Sequence, residues 1–389
     1  MSVRELRRLF HDTYGYPPKL TVRAPGRVNI LGEHVDYNDG LVLPAAIDRA
    51  VRIAAAPLDE AEVCLSALDI GESVTFRLAD VNRKIDIQGE PLPGWACYPA
   101  GVAWALCENG LNVKGLRAAY SSDVPIGAGL SSSAAVEVGF AVLWQALGEW
   151  ELDRLKLAQH CQQAENLYIG VSCGLMDQFA SACGLENHAL CLDTRSFDWK
   201  TVPLPEGIAL VIADSGIRRK LTHSAYNERR AACEKAVQEL RKFKPSIHSL
   251  RDISITEFAA YSPYLEEIPR KRAEHVVREI HRVQSALHAM ARNDKQALGA
   301  LMYAGHASLR NLYEVSTPEL DLLVDLSRNL PGCIGARLTG AGFGGCTINL
   351  VETGQAEAFI NGLQTGYARL SGCKPTVYLC HASNGAEVE

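Results

Sequence analysis

Several features that would place this 389-residue chain in other classes of protein are missing from its sequence. No run of five Lys or Arg residues occurs and the net charge is −6, so nothing supports a nucleic-acid-binding surface. No uncharged apolar run approaches the roughly 20 residues that a membrane-spanning helix needs. The twelve cysteines include no Cys-x-x-Cys pair, so we expect reduced thiols, not a zinc site or a disulfide framework.

Two common nucleotide-binding signatures are also missing. The chain has no Gly-Lys-Ser/Thr sequence, which excludes a Walker A loop, and it lacks the His-Arg-Asp and Asp-Phe-Gly motifs of protein kinases. Its first ten residues carry charges where a signal peptide needs an apolar core, and they predict a short amphipathic helix. With 47% hydrophobic and 22% charged residues, the composition favours a cytoplasmic enzyme, which we expect to be monomeric.

Strand and helix patterns are mixed along the chain without a regular βαβ repeat, which favours the α+β class. The predicted strands are 20–30, 41–57, 63–67, 74–78, 116–122, 208–213, 336–339, 346–351 and 375–380. The predicted helices are 97–109, 134–147, 152–169, 174–182, 224–242, 264–293 and 355–369. A Pro- and Gly-rich stretch at 203–207 predicts two domains, residues 1–205 and 206–389.

Residues 24–40 form an unusual polar segment that is interrupted by three glycines. Glu33, His34 and Asp36 place hydrogen-bond acceptors and a switchable donor close together. Such a set is suited to binding several hydroxyl groups at once. The alternative is a charged turn between two strands.

Residues 125–133 form a glycine-rich loop that opens directly onto an apolar helix. Successive glycines let backbone N–H groups converge on an anion, and the helix N-terminus adds unpaired N–H groups and its dipole. The loop is therefore suited to a polyphosphate, and the hydroxyls of Ser131, Ser132 and Ser133 can bind phosphate or reach Mg²⁺. The alternative is a plain strand-to-helix turn with serine caps.

Two carboxylates lie close together in the sequence, Glu165 late in one predicted helix and Asp177 near the start of the next. Asp177 has mainly apolar neighbours, where an unpaired charge is costly. It therefore needs a cationic partner or a chemical task, and Arg27 is the partner we propose. The alternative is a buried ion pair that only supports the fold.

A second glycine-rich stretch lies near the C-terminus, with five glycines between residues 335 and 345. Close approach of the backbone to a ligand or to a neighbouring loop would explain this density of glycine. The alternative is a tight hairpin.

These segments together resemble the GHMP kinases. The Pro-x-Gly-x-Gly-Leu-Ser-Ser-Ser-Ala sequence at 125–134 resembles the phosphate loop of that family, and the glycine run at 340–345 resembles its C-terminal motif. Residues 26–40 are more specific, since they resemble the sugar-binding signature of the galactokinase branch. The segments at 173–178 and 226–230 are similar to that branch as well. The resemblance runs from about residue 5 to the C-terminus. It departs at Val35, where threonine is common, and in the order of Ile30 and Leu31.

The resemblance implies a fold and an activity. The N-terminal domain would resemble domain 2 of ribosomal protein S5, the C-terminal domain would be ferredoxin-like, and the active site would lie in the cleft between them. The implied reaction is ATP-dependent phosphorylation of galactose at its anomeric C1 hydroxyl, with Mg²⁺, giving galactose 1-phosphate and ADP. This reaction would be the first committed step of galactose catabolism.

The resemblance also implies roles for individual residues. The implied catalytic residues are Asp177 and Arg27. The implied sugar contacts are Glu33, His34, Val35, Asp36, Gly174 and Tyr226. The implied ATP contacts are Gly127, Ala128, Gly129, Leu130, Ser131, Ser132 and Ser133. The implied Mg²⁺ ligands are Ser133 and Glu165.

Two other functions fit the same sequence. One is a kinase for a related sugar such as N-acetylgalactosamine, arabinose or galacturonate. Tolerance for substituents at C2 or C6 depends on side chains whose positions cannot be derived from the sequence. The other is a galactose and ATP sensor without catalytic activity. The sequence keeps Ala134 and Ala135 after the three serines, as well as Glu165 and Asp177, and therefore favours an enzyme over a sensor.

Overall fold

The computed structural model describes residues 1–218 and 222–389. Its α-helices are α1 (Val3–Tyr14), α2 (Cys97–Glu108), α3 (Ser132–Gly148), α4 (Arg154–Gln163), α5 (Met176–Cys183), α6 (Thr222–Leu240), α7 (Ile255–Tyr261), α8 (Glu267–Ala291), α9 (Lys295–Ser308), α10 (Pro318–Arg328) and α11 (Ala356–Ser371). Its strands are β1 (Leu20–Asn29), β2 (Leu41–Val42), β3 (Pro44–Pro57), β4 (Glu62–Ala67), β5 (Glu72–Arg77), β6 (Leu116–Ser122), β7 (His188–Asp193), β8 (Trp199–Pro203), β9 (Ile208–Asp214), β10 (Cys333–Leu338), β11 (Cys346–Glu352), β12 (Thr376–Cys380) and β13 (Glu387–Val388).

The N-terminal half is built on a six-stranded sheet with the strand order β13-β1-β3-β6-β4-β5. Side chains alternate between its two faces, as the strand period requires. Ile53 belongs to the large core that includes α3, whereas the neighbouring Ala54 packs with Leu6 and Phe10 of α1. Gly139 lets α3 lie close to the sheet, because an added Cβ would come within 2.9 Å of the Ile53 Cδ1 atom. This packing holds the middle of α3 against the sheet.

The C-terminal half is built on a four-stranded sheet with the order β10-β11-β9-β12, in which all three strand pairs are antiparallel. Val211 and Ala213 of β9 pack with α10 and α11, while Leu210 and Ile212 face the core that includes α8 and α9. A three-stranded sheet, β2-β7-β8, completes the fold. The α+β class and the two-domain architecture predicted from the sequence are confirmed.

The C-terminal residues return to the first sheet. Val388 pairs with Val22 of β1, and Ala382 forms a β-bridge with Ile47. This return was not predicted. The domain boundary at residues 205 and 206 stays a prediction, although β9 begins just beyond it.

Within residues 1–218 and 222–389, no helix is both long and apolar enough to cross a bilayer. No disulfide joins cysteines of the described chain.

Candidate active site

A cavity of about 260 Å³ lies in the cleft between the two halves. The predicted site residues that line it are Arg27, Glu33, His34, Asp36, Gly127, Gly129, Ser131, Ser132, Ser133, Glu165, Gly174, Asp177 and Tyr226. Three others are not among its lining residues, because the side chains of Val35, Ala128 and Leu130 are buried in the hydrophobic cores. These three residues, which were predicted as site residues from the sequence, can therefore contribute only backbone atoms to the site.

Arg27 and Asp177 form a bidentate ion pair on the floor of the cavity. The Arg27 Nε atom lies 2.8 Å from Asp177 Oδ1, and its Nη2 atom lies 2.7 Å from Oδ2. Arg27 is buried, and its Nη1 atom donates to the Gly129 carbonyl at 2.6 Å. The Asp177 side chain keeps 32% of its surface exposed. The fork geometry therefore fixes a carboxylate that a substrate can still reach.

The loop before α3 has the backbone of an anion-binding turn. Gly127 and Gly129 have φ values of +70° and +82°, and Ser131 has a φ of +60°. Ser131 occupies the N-cap position of α3, yet its side chain does not cap the helix. Its hydroxyl donates instead to Asp177 Oδ2. The N–H groups of the first turn therefore lack the side-chain acceptor that a capping serine would supply, and an anion can take its place.

Glu165 lies in a π-helical turn, residues 164–169, that follows α4. The amide of Gln178 donates to Glu165 Oε2 at 2.5 Å and to Glu137 Oε2 at 3.0 Å, while the Cys173 thiol lies 3.2 Å from Glu165 Oε2. Burial raises the pKa of both glutamates, that of Glu137 well above its usual range. Glu137 and Gln178 were not predicted, although a glutamate inside the apolar helix α3 was a usable signal.

Asp36 and Gly174 lie against each other at the sugar end of the predicted site. A Cβ atom added to Gly174 would overlap the Asp36 carboxylate, so any other residue there would require Asp36 to move. Asp36 Oδ1 accepts a hydrogen bond from the Tyr37 N–H at 3.1 Å. Burial, reinforced by the nearby charge of Asp177, raises the pKa of Asp36 to about 6.

An aromatic wall formed by His34, Tyr37, Tyr226 and Tyr313 borders the same end. The His34 Nε2 atom lies 3.2 Å from the Ala341 carbonyl oxygen, and Nδ1 lies 2.8 Å from the Tyr37 hydroxyl. A carbonyl only accepts, so in the neutral ring Nε2 carries the proton and Nδ1 accepts from Tyr37. The Tyr226 ring is centred 5.6 Å from that of His34 and 5.3 Å from that of Tyr37.

Glu33 is buried at the junction of the two halves. Its Oε1 atom accepts from the Gly340 N–H at 2.8 Å, and its Oε2 atom lies 2.8 Å from Nη2 of Arg337. Burial raises the pKa of Glu33 to about 7, although Arg337 opposes the shift. The glycine run thus has both predicted properties, because it joins β10 to β11 as a hairpin and brings its backbone against a neighbouring segment.

The site has few groups for a metal ion. Among the residues that the structure describes, no group of three His, Cys, Asp or Glu side chains is arranged to bind one. Mg²⁺, however, is usually held by one or two protein oxygens together with substrate phosphates and water. The buried carboxylate of Glu165 and the hydroxyl of Ser133, which line one cavity, fit that mode.

The fold and the cleft define a GHMP-type small-molecule kinase, and family models agree. The GHMP kinases N terminal domain matches residues 98–185, and the GHMP kinases C terminal domain matches residues 286–369. The galactokinase galactose-binding signature matches residues 8–57.

Relatives that match over nearly the full chain show which branch of the GHMP kinases this chain belongs to. The chain is 44% identical to a galactokinase of Roseiflexus sp. (strain RS-1), covering 99% of this chain and 97% of that protein. It is 42% identical to a galactokinase of Chloroflexus aurantiacus, covering 97% and 95%. The crystal structure of Lactococcus lactis galactokinase complexed with galactose matches with a TM-score of 0.93, 33% identity and 99% coverage of both chains. The chain belongs to the galactokinase family of GHMP kinases.

Proposed function

We propose that this enzyme transfers the γ-phosphoryl group of ATP to the C1 hydroxyl of galactose, forming galactose 1-phosphate and ADP. One observation carries the proposal. The Asp177 carboxylate accepts from Ser131 of the glycine-rich loop and lies near Asp36 of the polar segment. The same group therefore lies where a phosphate site and a hydroxyl-binding site meet.

The nucleotide phosphates would bind to the loop at residues 127–133. Backbone N–H groups of the loop and of the first turn of α3 would accommodate their charge, since glycine torsions orient these groups toward one point. Ala128 and Leu130 would contribute backbone atoms only. Their buried side chains would anchor the loop in the core.

The sugar would bind against Glu33, His34, Asp36 and Tyr226. Carboxylate oxygens accept from sugar hydroxyls, and the charge makes such hydrogen bonds stronger than neutral ones. Gly174 would leave room for the Asp36 carboxylate, while Val35 would contribute only through the backbone of the segment.

Asp177 would orient the C1 hydroxyl and accept its proton as the new oxygen–phosphorus bond forms and the bond to ADP breaks. In phosphoryl transfer most of the catalysis comes from positioning and from stabilising charge. Arg27 would keep Asp177 ionised and would stabilise charge on the group in transfer.

Ser133 and Glu165 would hold Mg²⁺ together with the phosphates. The ion would neutralise charge on the nucleotide during transfer. Burial raises the pKa of Glu165, and a cation bound beside it would favour its ionised form, which fits the assignment. A cytoplasmic location and a monomeric state stay predictions.

The proposal is tested by a coupled assay of ADP formation with ATP, Mg²⁺ and a panel of sugars. We expect galactose to have the highest kcat/KM, ahead of N-acetylgalactosamine, arabinose and galacturonate. Preference for another sugar would replace the proposed substrate. Tight galactose binding without ADP formation would instead identify a sensor.

Replacing Tyr226 with phenylalanine is expected to raise the KM for galactose about fivefold, because one net hydrogen bond contributes about 1 kcal/mol. The kcat value and the KM for ATP should stay within twofold, since the contact is made equally before and during transfer. Steady-state kinetics check both. Tyr264, which is largely exposed, supplies the control variant Tyr264→Phe. An effect confined to kcat would refute the assigned role.

Galactose binding is expected to weaken as the pH falls, first below about 7 as Glu33 takes up a proton and further below about 6 as Asp36 does. Above this pH Asp36 is a carboxylate that accepts from hydroxyls, and below it the group becomes a neutral acid. If only the ionised form binds, the dissociation constant rises up to about tenfold per pH unit in the acidic range. Calorimetric titration between pH 5 and pH 8 measures this. Asp36→Asn should bind more weakly and keep only the part of the pH dependence that Glu33 contributes. A flat wild-type profile would contradict the prediction.

A further inference from the structure

Residues 29–34, which carry part of the proposed sugar site, are attached to the C-terminal half by side chains of that half. The Asn29 N–H donates to the Thr339 hydroxyl at 2.9 Å. The Gly32 N–H donates to Glu279 Oε1 at 2.8 Å, and the Ile30 carbonyl accepts from Arg337 Nη1 at 3.0 Å. The segment therefore takes its position from β10 and α8 as well as from its own strand.

Arg337 is the centre of this attachment. Its side chain is fully buried between two carboxylates, with Nη2 2.8 Å from Glu33 Oε2 and Nη1 3.4 Å from Glu279 Oε1. Glu279 is also fully buried, and Arg282 donates to its Oε2 at 2.5 Å. The result is a chain of alternating charges, Glu33–Arg337–Glu279–Arg282, that begins in the cavity and ends on α8.

A histidine holds the backbone of the same segment. His275 Nε2 lies 3.1 Å from the Glu33 carbonyl oxygen, and Nδ1 lies 2.8 Å from the Ser308 hydroxyl. Burial lowers the pKa of His275 to about 4, so the ring is neutral. Nε2 then donates to the carbonyl of Glu33, and Nδ1 accepts from Ser308. Glu33 is thus fixed at both its side chain and its main chain.

We propose that Arg337 and Glu279 are positioning residues for the sugar, which hold Glu33 in the orientation that binds a hydroxyl group. Glu279 does not line the cavity and acts through Arg337 and through the Gly32 N–H, while Arg337 acts through Glu33. The inference rests on the proposed function, because it takes Glu33 as a sugar contact.

The physical argument concerns the direction of the Glu33 carboxylate. Gly340, Asn29 and Arg337 already engage its two oxygens, so the lone pairs left for a ligand are set by these three partners. Loss of the Arg337 charge would leave Glu33 buried and without its cation, which favours the neutral acid and a different orientation. The loop that binds phosphate makes none of these contacts. Galactose affinity should therefore change while nucleotide affinity does not.

The test uses the full chain and two variants, Glu279→Gln and Arg337→Gln. Isothermal titration measures the dissociation constants of galactose and, separately, of the ATP analogue AMPPNP with Mg²⁺. We expect the dissociation constant of galactose to rise at least fivefold in both variants and that of AMPPNP to stay within twofold of the wild-type value. In steady-state kinetics the KM for galactose should rise by a similar factor with a much smaller change in kcat.

Arg272→Gln is the matched control. Arg272 is buried on the same helix as Glu279 and pairs at 2.7 Å with the exposed Glu314, so its loss removes a buried, paired cation without touching residues 29–34. We expect the dissociation constant of galactose for this variant to stay within twofold of the wild-type value. If the Arg337 variant does not fold, the isosteric Glu279→Gln decides.

Unchanged galactose affinity in folded variants, or equal weakening of both ligands, would overturn the inference. Failure of the wild-type protein to bind galactose would instead refute the proposed function.

Discussion

Asp177→Asn is expected to lower kcat for galactose phosphorylation by about three orders of magnitude, within the range by which a positioned acid or base accelerates a reaction. The amide keeps the shape of the side chain and an oxygen that can accept from Ser131. The amide cannot take up the proton of the galactose C1 hydroxyl, and it lacks the negative charge that pairs with Arg27. Steady-state kinetics with galactose and ATP measure the loss.

Binding experiments separate this loss from misfolding. We expect Asp177→Asn to bind AMPPNP with Mg²⁺ nearly as well as the wild type. Asp325→Asn, a change on the exposed face of α10, should leave kcat and both affinities unaltered. Turnover of the Asp177 variant within tenfold of wild type would remove Asp177 from the role of proton acceptor.

Gly174→Ala is expected to lower kcat/KM for galactose by about 100-fold, mainly through KM. The added methyl group overlaps the Asp36 carboxylate, which must then move away from the sugar. A displacement of about 1 Å in a site is enough for a loss of this size. Steady-state kinetics at saturating ATP measure the effect.

Gly354→Ala is the control for that substitution. No atom lies within 4 Å of the position where its Cβ would be, and Gly354 lies in the short 3₁₀ turn before α11. Its kinetics should equal those of the wild type. If Gly174→Ala matched it, Asp36 would not be held against Gly174 in the working enzyme.

Much of the fold followed from local patterns. The predicted strand at 116–122 coincides with β6, and the predicted strand at 208–213 falls within β9. The run at 208–213 is apolar throughout and residues 116–120 are mostly apolar, and a sheet buried on one or both faces preserves such patterns.

The helix α9 was not predicted, and its packing explains why. Its residues include Gly299 and Gly305, which are poor helix formers. Gly299 is required because an added Cβ would overlap the Ile334 carbonyl oxygen of β10, so the helix lies directly against the strand. Tertiary contact therefore overrode local propensity, which no single window of sequence reveals.

Site residues that lie within one sequence motif could be predicted. Residues that join the site from distant segments of the chain could not. The ion pair of Arg27 with Asp177 was expected from charge in an apolar setting, and the structure contains it. Arg337 and Glu279 belong to the C-terminal half and contact Glu33 and Gly32 of the N-terminal half, and nothing in their local sequences indicates these partners. Val35 was predicted to contact the sugar because of its position in the motif, yet its side chain is buried in the hydrophobic core.

The central claim is that a sugar hydroxyl at C1 receives the phosphoryl group in this cleft. The most direct measurement is ³¹P NMR of the reaction of the full-length protein with ATP, Mg²⁺ and galactose. We predict one sugar phosphate, formed in equal amount with ADP, whose phosphorus couples to the anomeric proton. Phosphorus coupled to a proton at another carbon, or ADP formed without any sugar phosphate, would contradict the claim.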